Sequence, residues 1–370
     1  MKLFSCDHCG NTVYFENAHC EQCGHRLGYA PEANALVSLD PENGAWRSPF
    51  LGGLYVFCAN AGHGACNWLV AHDPGGDPYC RACRHNDIVP TLDNPANVQR
   101  FQVIERAKKR LIYALLRLRL PLATRVQDAA HGLSFRFLDE YASPDPVKTG
   151  HASGVITIAL AEADDAQREY RRAQLNEPYR TLLGHFRHEV GHHYWDILVA
   201  RSRHLDAFRA LFGDERDGYD DALQRHYANG APPDWRTRFV SSYAASHPWE
   251  DFAETWAHYL HVIDTAEVAA SFGLRLAPRV DPRSALDTRL DFDPYCLETL
   301  DPLIDGWVPL SALINSLNRA VGHRDAYPFV LTPPVVEKLD FIHRLVHEAG
   351  ATQWPVPGPD GSQVPISAPA

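Results

Sequence analysis

The stretch "LLGHFRHEVGHHYWDIL", residues 182–198, governs the interpretation of the whole chain. It contains His188-Glu189-x-x-His192, and in a helix two histidines four positions apart project from one face. Glu189 is offset by one position, so it can reach a water on the metal without binding the metal itself. The apolar residues around the motif predict a buried helix that begins near Pro178. The pattern therefore predicts a zinc-binding helix, and the alternative is an ordinary helix in a chain with 20 histidines.

A catalytic zinc site needs a third protein ligand and an open position for water. The segment "SHPWEDFAETWAHYLHV", residues 246–262, offers three carboxylates, on Glu250, Asp251 and Glu254. We favour Glu254 as the ligand, because the alanines near it would let this helix pack closely against the first. Asp251 is then expected to orient a ligand histidine, since zinc-bound imidazoles usually donate their other N–H. Alternatively, Glu250 and Asp251 are simply charges favoured near a helix N-terminus.

The front of the chain is rich in cysteine, and its spacing predicts structural zinc. The pairs "CDHC" and "CEQC" lie ten residues apart and can supply one tetrahedral site. Gly10 and Gly24 follow these pairs, where the turn needs a positive φ. The pair "CRAC" and two separate cysteines predict a second Cys₄ site, although His63, His72 and His85, cross-braced pairing, or free thiols in a small core remain alternatives. The predicted ligands are Cys6, Cys9, Cys20, Cys23, Cys58, Cys66, Cys80 and Cys83.

Charge and hydrophobicity limit the partners that the chain can have. The formal net charge is −11, and residues 1–100 carry 6 Lys+Arg against 10 Asp+Glu, which disfavours binding to nucleic-acid phosphates. No apolar signal-peptide core and no run of about 20 apolar residues is found, so we expect a soluble, cytoplasmic protein without a membrane partner. The acidic front is expected to act as a scaffold, a protein-binding element or a gating element.

Composition divides the chain into three blocks. Residues 1–92 form the Cys-rich module, residues 98–350 carry most of the amphipathic patterns, and residues 351–370 are rich in Pro and Gly and predicted to be disordered. In the large block, alternating apolar residues at 133–137 predict a strand, and residues 154–160 predict a second. The second strand could be a sheet edge that pairs with an extended peptide. The expected fold class is α+β, mainly helical with a small sheet.

The two motifs behind a Cys-rich front resemble a bacterial family of zinc-binding metallopeptidases with an N-terminal zinc-ribbon-like domain. The resemblance covers most of residues 1–345. This family is similar to the gluzincins, in which two motif histidines and a glutamate on a following helix bind zinc. The resemblance implies a zincin-like core with one catalytic Zn²⁺ on His188, His192 and Glu254, Glu189 as the base, and one or two structural Zn²⁺ ions on the cysteines.

The implied activity is hydrolysis of a peptide or protein substrate by a zinc-bound water that Glu189 activates. Tyr243 and His247, just before the second helix, are candidate donors to the developing oxyanion. The 61 residues between His192 and Glu254 exceed the spacing of compact gluzincins and imply an inserted segment, roughly 203–240. The rival hypothesis is a non-catalytic zinc-binding module for protein interaction, and the intact Glu189 argues against it.

Overall fold

The computed structural model of the chain describes residues 2–140, 147, 149–169, 181–280 and 283–353. Helices and several small sheets are combined in it, so the predicted α+β class is confirmed. The predicted disorder of residues 351–370 and the predicted helix start near Pro178 fall almost entirely outside the described residues. Among the described helices, none is long and apolar enough to cross a membrane.

The N-terminal region consists of a hairpin followed by a curled sheet. The hairpin pairs β1 with β2, and the next five strands form an antiparallel sheet in chain order. A bridge between Tyr29 and Trp68 brings the two ends of that sheet together, so it is almost closed. The strands are β1 Phe4–Ser5, β2 Thr12–Val13, β3 Arg26–Ala30, β4 Ala35–Glu42, β5 Ala45–Arg47, β6 Tyr55–Phe57 and β7 Leu69–Ala71.

A four-stranded sheet lies in the centre of the chain and has the order β10-β11-β9-β8. The predicted alternation appears in β9, where Phe135 and Phe137 are fully buried. The strand predicted at residues 154–160 is not an edge, because β11 lies between β10 and β9; the described edge on that side is β10. The strands are β8 Asn86–Ile88, β9 Ser134–Leu138, β10 Gly150–Ala152 and β11 Val155–Ala159.

Helices and a short hairpin make up most of the rest. The elements are α1 Pro95–Arg117, α2 Leu182–Leu198, α3 Leu205–Phe212, α4 Tyr219–Asn229, α5 Trp235–Arg238, α6 Pro248–Ser271, α7 Asp301–Ala320, α8 Pro333–Gln353, β12 Arg275–Leu276 and β13 Thr288–Arg289. Helix α1 has Asn94 as its N-cap, whose side chain accepts a hydrogen bond from the Ala96 N–H. Helices α3 to α5 lie between the two motif helices α2 and α6, as expected for an inserted segment.

The two motif helices, α2 and α6, pack directly against each other. A methyl group added to Gly191 would lie 3.0 Å from Ala253 Cα and 3.2 Å from Trp256 Cβ, so the absence of a side chain permits the close approach. Beside this contact, the rings of Tyr194 and Trp256 stack with their centroids 4.8 Å apart. The helices therefore present their polar residues to each other across a short distance.

One hydrophobic core runs through both the Cys-rich region and the helical region. Phe15 and Tyr29 from the front of the chain meet Tyr113 of α1, with ring centroids 5.2 Å and 6.1 Å apart. The buried Lys109 of α1 donates to the Ala65 carbonyl oxygen at 2.7 Å. In addition, β8 precedes the predicted boundary at residue 92 but pairs with β9 of the central sheet. The two regions are thus packed as one body.

Candidate metal centre

Helix α2 brings the two motif histidines together. Its N-cap is Thr181, whose hydroxyl accepts a hydrogen bond from the Gly184 N–H at 3.0 Å. One turn of helix separates His188 from His192, and their Nε2 atoms lie 3.2 Å apart. The imidazole of His192 is further covered by the Trp249 ring, with centroids 3.8 Å apart. Both Nε2 atoms therefore face the same point.

The third group at that point is Glu250. Its Oε2 atom lies 3.0 Å from His188 Nε2 and 3.5 Å from His192 Nε2. Ligand atoms about 2.0–2.1 Å from a tetrahedral zinc ion are roughly 3.4 Å from one another, which is the spacing seen here. Oε2 is also buried and finds no hydrogen-bond donor among the described residues. Two imidazole nitrogens and a carboxylate oxygen fit the ligand set of a catalytic zinc site.

Glu254, which the sequence favoured as the ligand, contacts the opposite side of the His188 ring. Its Oε1 is 2.8 Å from Nδ1 of His188, and its Oε2 accepts a hydrogen bond from Ser241 at 2.6 Å. Because Nδ1 and Nε2 are on different sides of the ring, Glu254 does not share the point that Glu250 reaches. The geometry corrects the prediction: Glu254 occupies the place of a residue that orients a ligand imidazole.

Asp251, predicted to orient a ligand histidine, points away from both histidines. Its buried carboxylate accepts a hydrogen bond from Lys338 Nζ of α8 at 2.6 Å. Burial raises the pKa of Asp251 to about 7, against the opposing effect of the Lys338 charge. One residue further along a helix turns a side chain by about 100°, which carries Asp251 from the α2 side of α6 to the α8 side. Among its described contacts, Asp251 thus bonds to Lys338 and not to a ligand histidine.

His247, predicted as an oxyanion donor, is the N-cap of α6. Its Nδ1 accepts a hydrogen bond from the Trp249 N–H at 3.1 Å, so its other nitrogen carries the proton. That nitrogen donates to the carbonyl oxygen of Asp217, also at 3.1 Å. Both nitrogens of this buried ring are therefore engaged within the protein, and its role as an oxyanion donor stays a prediction.

Two tyrosines border the centre. Tyr243, a predicted donor, is half-buried, and its ring centroid is 5.9 Å from that of His188. Burial and the charge of Glu250 raise the pKa of Tyr243, so its hydroxyl keeps its proton. Tyr219 was missed by the sequence analysis, yet its hydroxyl donates to Oε1 of Glu250 at 2.5 Å. No local signal marks Tyr219, because its contact with Glu250 depends on how the inserted segment folds.

Glu189 is half-buried beside the two histidines. Burial raises the pKa of its carboxyl, while the neighbouring imidazoles of His188 and His192 oppose the shift. Within the described part of the chain its carboxylate has no hydrogen-bond partner. It is thus free to exchange a proton with a small molecule at the centre.

The eight cysteines form two separate groups of four. In the first cysteine cluster, sulfur pairs lie 3.6 Å and 3.8 Å apart, and in the second one pair lies 3.7 Å apart. Four sulfurs about 2.3 Å from a tetrahedral zinc ion are roughly 3.8 Å from each other, whereas a disulfide needs about 2.0 Å. The first cluster is Cys6, Cys9, Cys20 and Cys23, and the second cluster is Cys58, Cys66, Cys80 and Cys83.

The grouping bears on two alternatives for the cysteines, namely histidine ligands and cross-braced pairing. Gly10 and Gly24 both have φ of +77°, as expected for the turns that follow the first two pairs. His85 is not among the grouped residues, and its Nδ1 is hydrogen-bonded to the Leu133 carbonyl oxygen at 2.9 Å. Neither His63 nor His72 belongs to the grouped residues, and no cysteine is shared between the clusters.

Comparisons with known proteins agree with both parts of this description. Residues 97–345 match a family described as "putative zinc-binding metallo-peptidase", and residues 3–94 match a zinc-ribbon domain. Uncharacterized proteins of Mycobacterium tuberculosis and Mycobacterium bovis are each 44% identical over 349 residues, covering 94% of this chain and 96% of the relative. No solved structure matches the chain.

Proposed function

The chain belongs to the zinc-binding metallopeptidase family just described, and from that premise we propose that it hydrolyses peptide bonds with the help of a zinc ion. The residues that would hold the ion are His188, His192 and Glu250, through the three atoms that lie within 3.5 Å of one another. When bound, zinc lowers the pKa of a water molecule toward about 7 and polarises a carbonyl group. Three protein ligands leave a position open for that chemistry.

Glu189 is the proposed general base. It accepts a proton from the attacking water and delivers it to the leaving amine nitrogen. Its raised pKa favours the first step, since a more basic carboxylate takes the proton more readily. Tyr243 is the proposed donor to the oxyanion, because its protonated hydroxyl belongs to a ring that borders His188.

Glu254 and Trp249 orient the two ligand imidazoles, those of His188 and His192. Glu254 accepts a hydrogen bond from Nδ1–H of His188, so the lone pair of Nε2 is directed at the centre. Nδ1 of His192 is buried without a partner among the described residues, so the neighbouring Trp249 ring restrains that imidazole by contact. Ser241 in turn fixes the second oxygen of Glu254 at 2.6 Å.

The proposed substrate is an extended peptide or protein segment, and β10 is the strand that it would pair with. This strand is the described edge of the central sheet, and the His151 ring within it lies 6.2 Å from that of His192. An extended chain added to this edge would gain main-chain hydrogen bonds and pass beside the centre. The role that the sequence analysis gave to residues 154–160 thus moves to the neighbouring strand.

A single observation carries the proposal: the carboxyl of Glu189 interacts electrostatically with His188, His192 and Glu250, whose ligand atoms converge on one point. A purely structural zinc site has no use for such a base, whereas a hydrolase requires one. The alternative, a non-catalytic zinc module for protein interaction, accounts for the cysteine clusters but not for this arrangement.

The experiment compares wild-type protein with Glu189→Gln in the cleavage of fluorescently labelled casein, with zinc per chain measured for both. We expect the variant to keep its zinc and to lose at least about 100-fold in rate, as removal of a general base does. The matched control is Glu337→Gln, at an exposed position on α8. Cleavage by Glu189→Gln at the wild-type rate, or no cleavage by zinc-loaded wild type across a peptide library, would favour the non-catalytic alternative.

A further inference from the structure

The insert, which we define as residues 199–247 between α2 and α6, contacts two acidic side chains of the metal centre, those of Glu250 and Glu254. Tyr219 donates to Oε1 of Glu250 at 2.5 Å, and Ser241 donates to Oε2 of Glu254 at 2.6 Å. The ring of Tyr243 borders His188 with centroids 5.9 Å apart. The insert therefore reaches the centre at three places, although the ligands themselves come from α2 and α6.

The contact with Tyr219 divides the two oxygens of Glu250 between two tasks. Oε2 lies 3.0 Å and 3.5 Å from the Nε2 atoms of His188 and His192, whereas Oε1 accepts a hydrogen bond from the Tyr219 hydroxyl. A carboxylate with two free oxygens can chelate one ion through both of them. A hydrogen bond to one oxygen disfavours that mode, so a single oxygen remains for the metal and the open position is preserved.

Tyr219 is itself fixed by the N-terminal end of α6. Its ring lies edge-on to His247 and Trp249, with centroids 5.3 Å and 5.6 Å away. His247 caps α6 and donates to the Asp217 carbonyl oxygen, two residues before Tyr219. His247 therefore links the start of α4 to the turn of α6 that carries Glu250. This link holds the Tyr219 hydroxyl where it can donate a hydrogen bond to Oε1 of Glu250.

We propose that Tyr219 is a positioning residue, which holds Glu250 in one-oxygen coordination and thereby makes the insert an integral part of the metal centre. The inference rests on the zinc ligands named in the proposed function, but it does not require that the chain hydrolyse peptides. Groups that orient metal ligands in this way typically change metal affinity about 10–100-fold when they are removed.

The test is the zinc affinity of full-length Tyr219→Phe, measured by competition with a fluorescent chelator. The site in question is identified as the zinc that disappears in His188→Ala. We expect the affinity to fall about 10–100-fold in Tyr219→Phe. Tyr227→Phe is the matched control, since Tyr227 lies on the same helix and is 65% exposed, and its affinity should equal that of wild type.

Thermal unfolding of the zinc-free forms separates positioning from a general structural role. The inference predicts that Tyr219→Phe and wild type without zinc melt at the same temperature, and that a zinc-loaded crystal of the variant shows both oxygens of Glu250 near the ion. An affinity within about twofold of wild type, or a loss of affinity matched by a loss of zinc-free stability, would overturn it. If wild type holds no zinc that depends on His188, the proposed metal centre fails first.

Discussion

At the scale of single residues, the centre depends on two glutamates that lie one turn apart on α6. Glu250 places an oxygen against both Nε2 atoms, and Glu254 places one against Nδ1 of His188. Because the two side chains share a helix face, either could serve as a ligand in principle. Their different contacts assign them different effects on zinc binding.

Substitution of these glutamates should separate the two roles. Glu250→Ala removes a ligand atom, so we expect the loss of about one zinc ion per chain, that of the His188–His192 group. Glu254→Ala leaves all three ligand atoms in place, so zinc should remain but bind about 10–100-fold more weakly. Elemental analysis and chelator competition measure both effects. Retention of this zinc in Glu250→Ala together with its loss in Glu254→Ala would reverse the assignment.

Zinc binding at this centre should also depend on pH. Burial acts to lower the pKa of His188, but the nearby carboxylates of Glu250 and Glu254 outweigh it and raise that pKa well above its ordinary value. The metal-free imidazole therefore binds a proton more tightly than a free histidine does, and zinc must compete with that proton. We expect affinity to rise with pH, by about tenfold per pH unit while one proton is released. Affinity that does not change with pH would contradict this account.

The sequence located His188, Glu189 and His192 because their relation is set within two turns of one helix. It favoured Glu254 as the third ligand, whereas the structure groups Glu250 with the histidines, because the choice depends on the rotation and separation of α2 and α6. The sequence could not predict the contact of Tyr219 with Glu250 either, because the two residues are 31 positions apart and the position of Tyr219 depends on the fold of the insert.

At the scale of elements, the contact between α2 and α6 sets the geometry of the centre. Gly191 lies directly against the backbone of Ala253, and the fully buried Val190 and Phe252 belong to the same hydrophobic core. The sequence indicated this close approach through the alanines near Glu254. It also gave the strand pattern of β9, but not the position of β11 inside its sheet, because edge or centre depends on which strands pair.

Gly191→Ala should force the two motif helices apart. The added methyl would meet the Ala253 backbone at 3.0 Å, and overpacking of this kind typically costs about 1–3 kcal/mol. We expect a lower free energy of unfolding and weaker zinc binding, measured by urea denaturation and chelator competition. Gly62→Ala is the control, because a methyl there meets no atom within 4 Å. Equal stability of the two variants would show that the helices are not in tight contact.

At the scale of the whole molecule, the Cys-rich front is built into the helical part. The Leu3 N–H donates to Ser271 Oγ at the C-terminal end of α6. Ser271 is 271 − 250 = 21 residues from Glu250, or about 30 Å along the helix axis, so the N-terminal strand lies far from the centre. The sequence predicted separate blocks for the Cys-rich front and the helical part, but a shared core arises from tertiary packing and leaves no local pattern.

The second cluster should matter more for the stability of the molecule than the first. All four of its cysteines are buried, and the Cys83 thiol lies 3.3 Å from the fully buried Glu105 of α1. We expect Cys66→Ser to lose about one zinc ion per chain and to lower the melting temperature of the whole protein. Cys9→Ser, at an exposed position, should lose about one zinc ion with a smaller effect on melting. Full zinc content in Cys66→Ser would contradict a metal site at this cluster.

The most direct test of the central claim is anomalous X-ray diffraction at the zinc absorption edge from crystals of the full-length protein. We predict a zinc peak about 2.0–2.2 Å from His188 Nε2, His192 Nε2 and one oxygen of Glu250, with Glu254 outside coordination distance. Further peaks are expected at the two cysteine clusters. No peak between the histidines, or a peak coordinated by Glu254 in place of Glu250, would contradict the account.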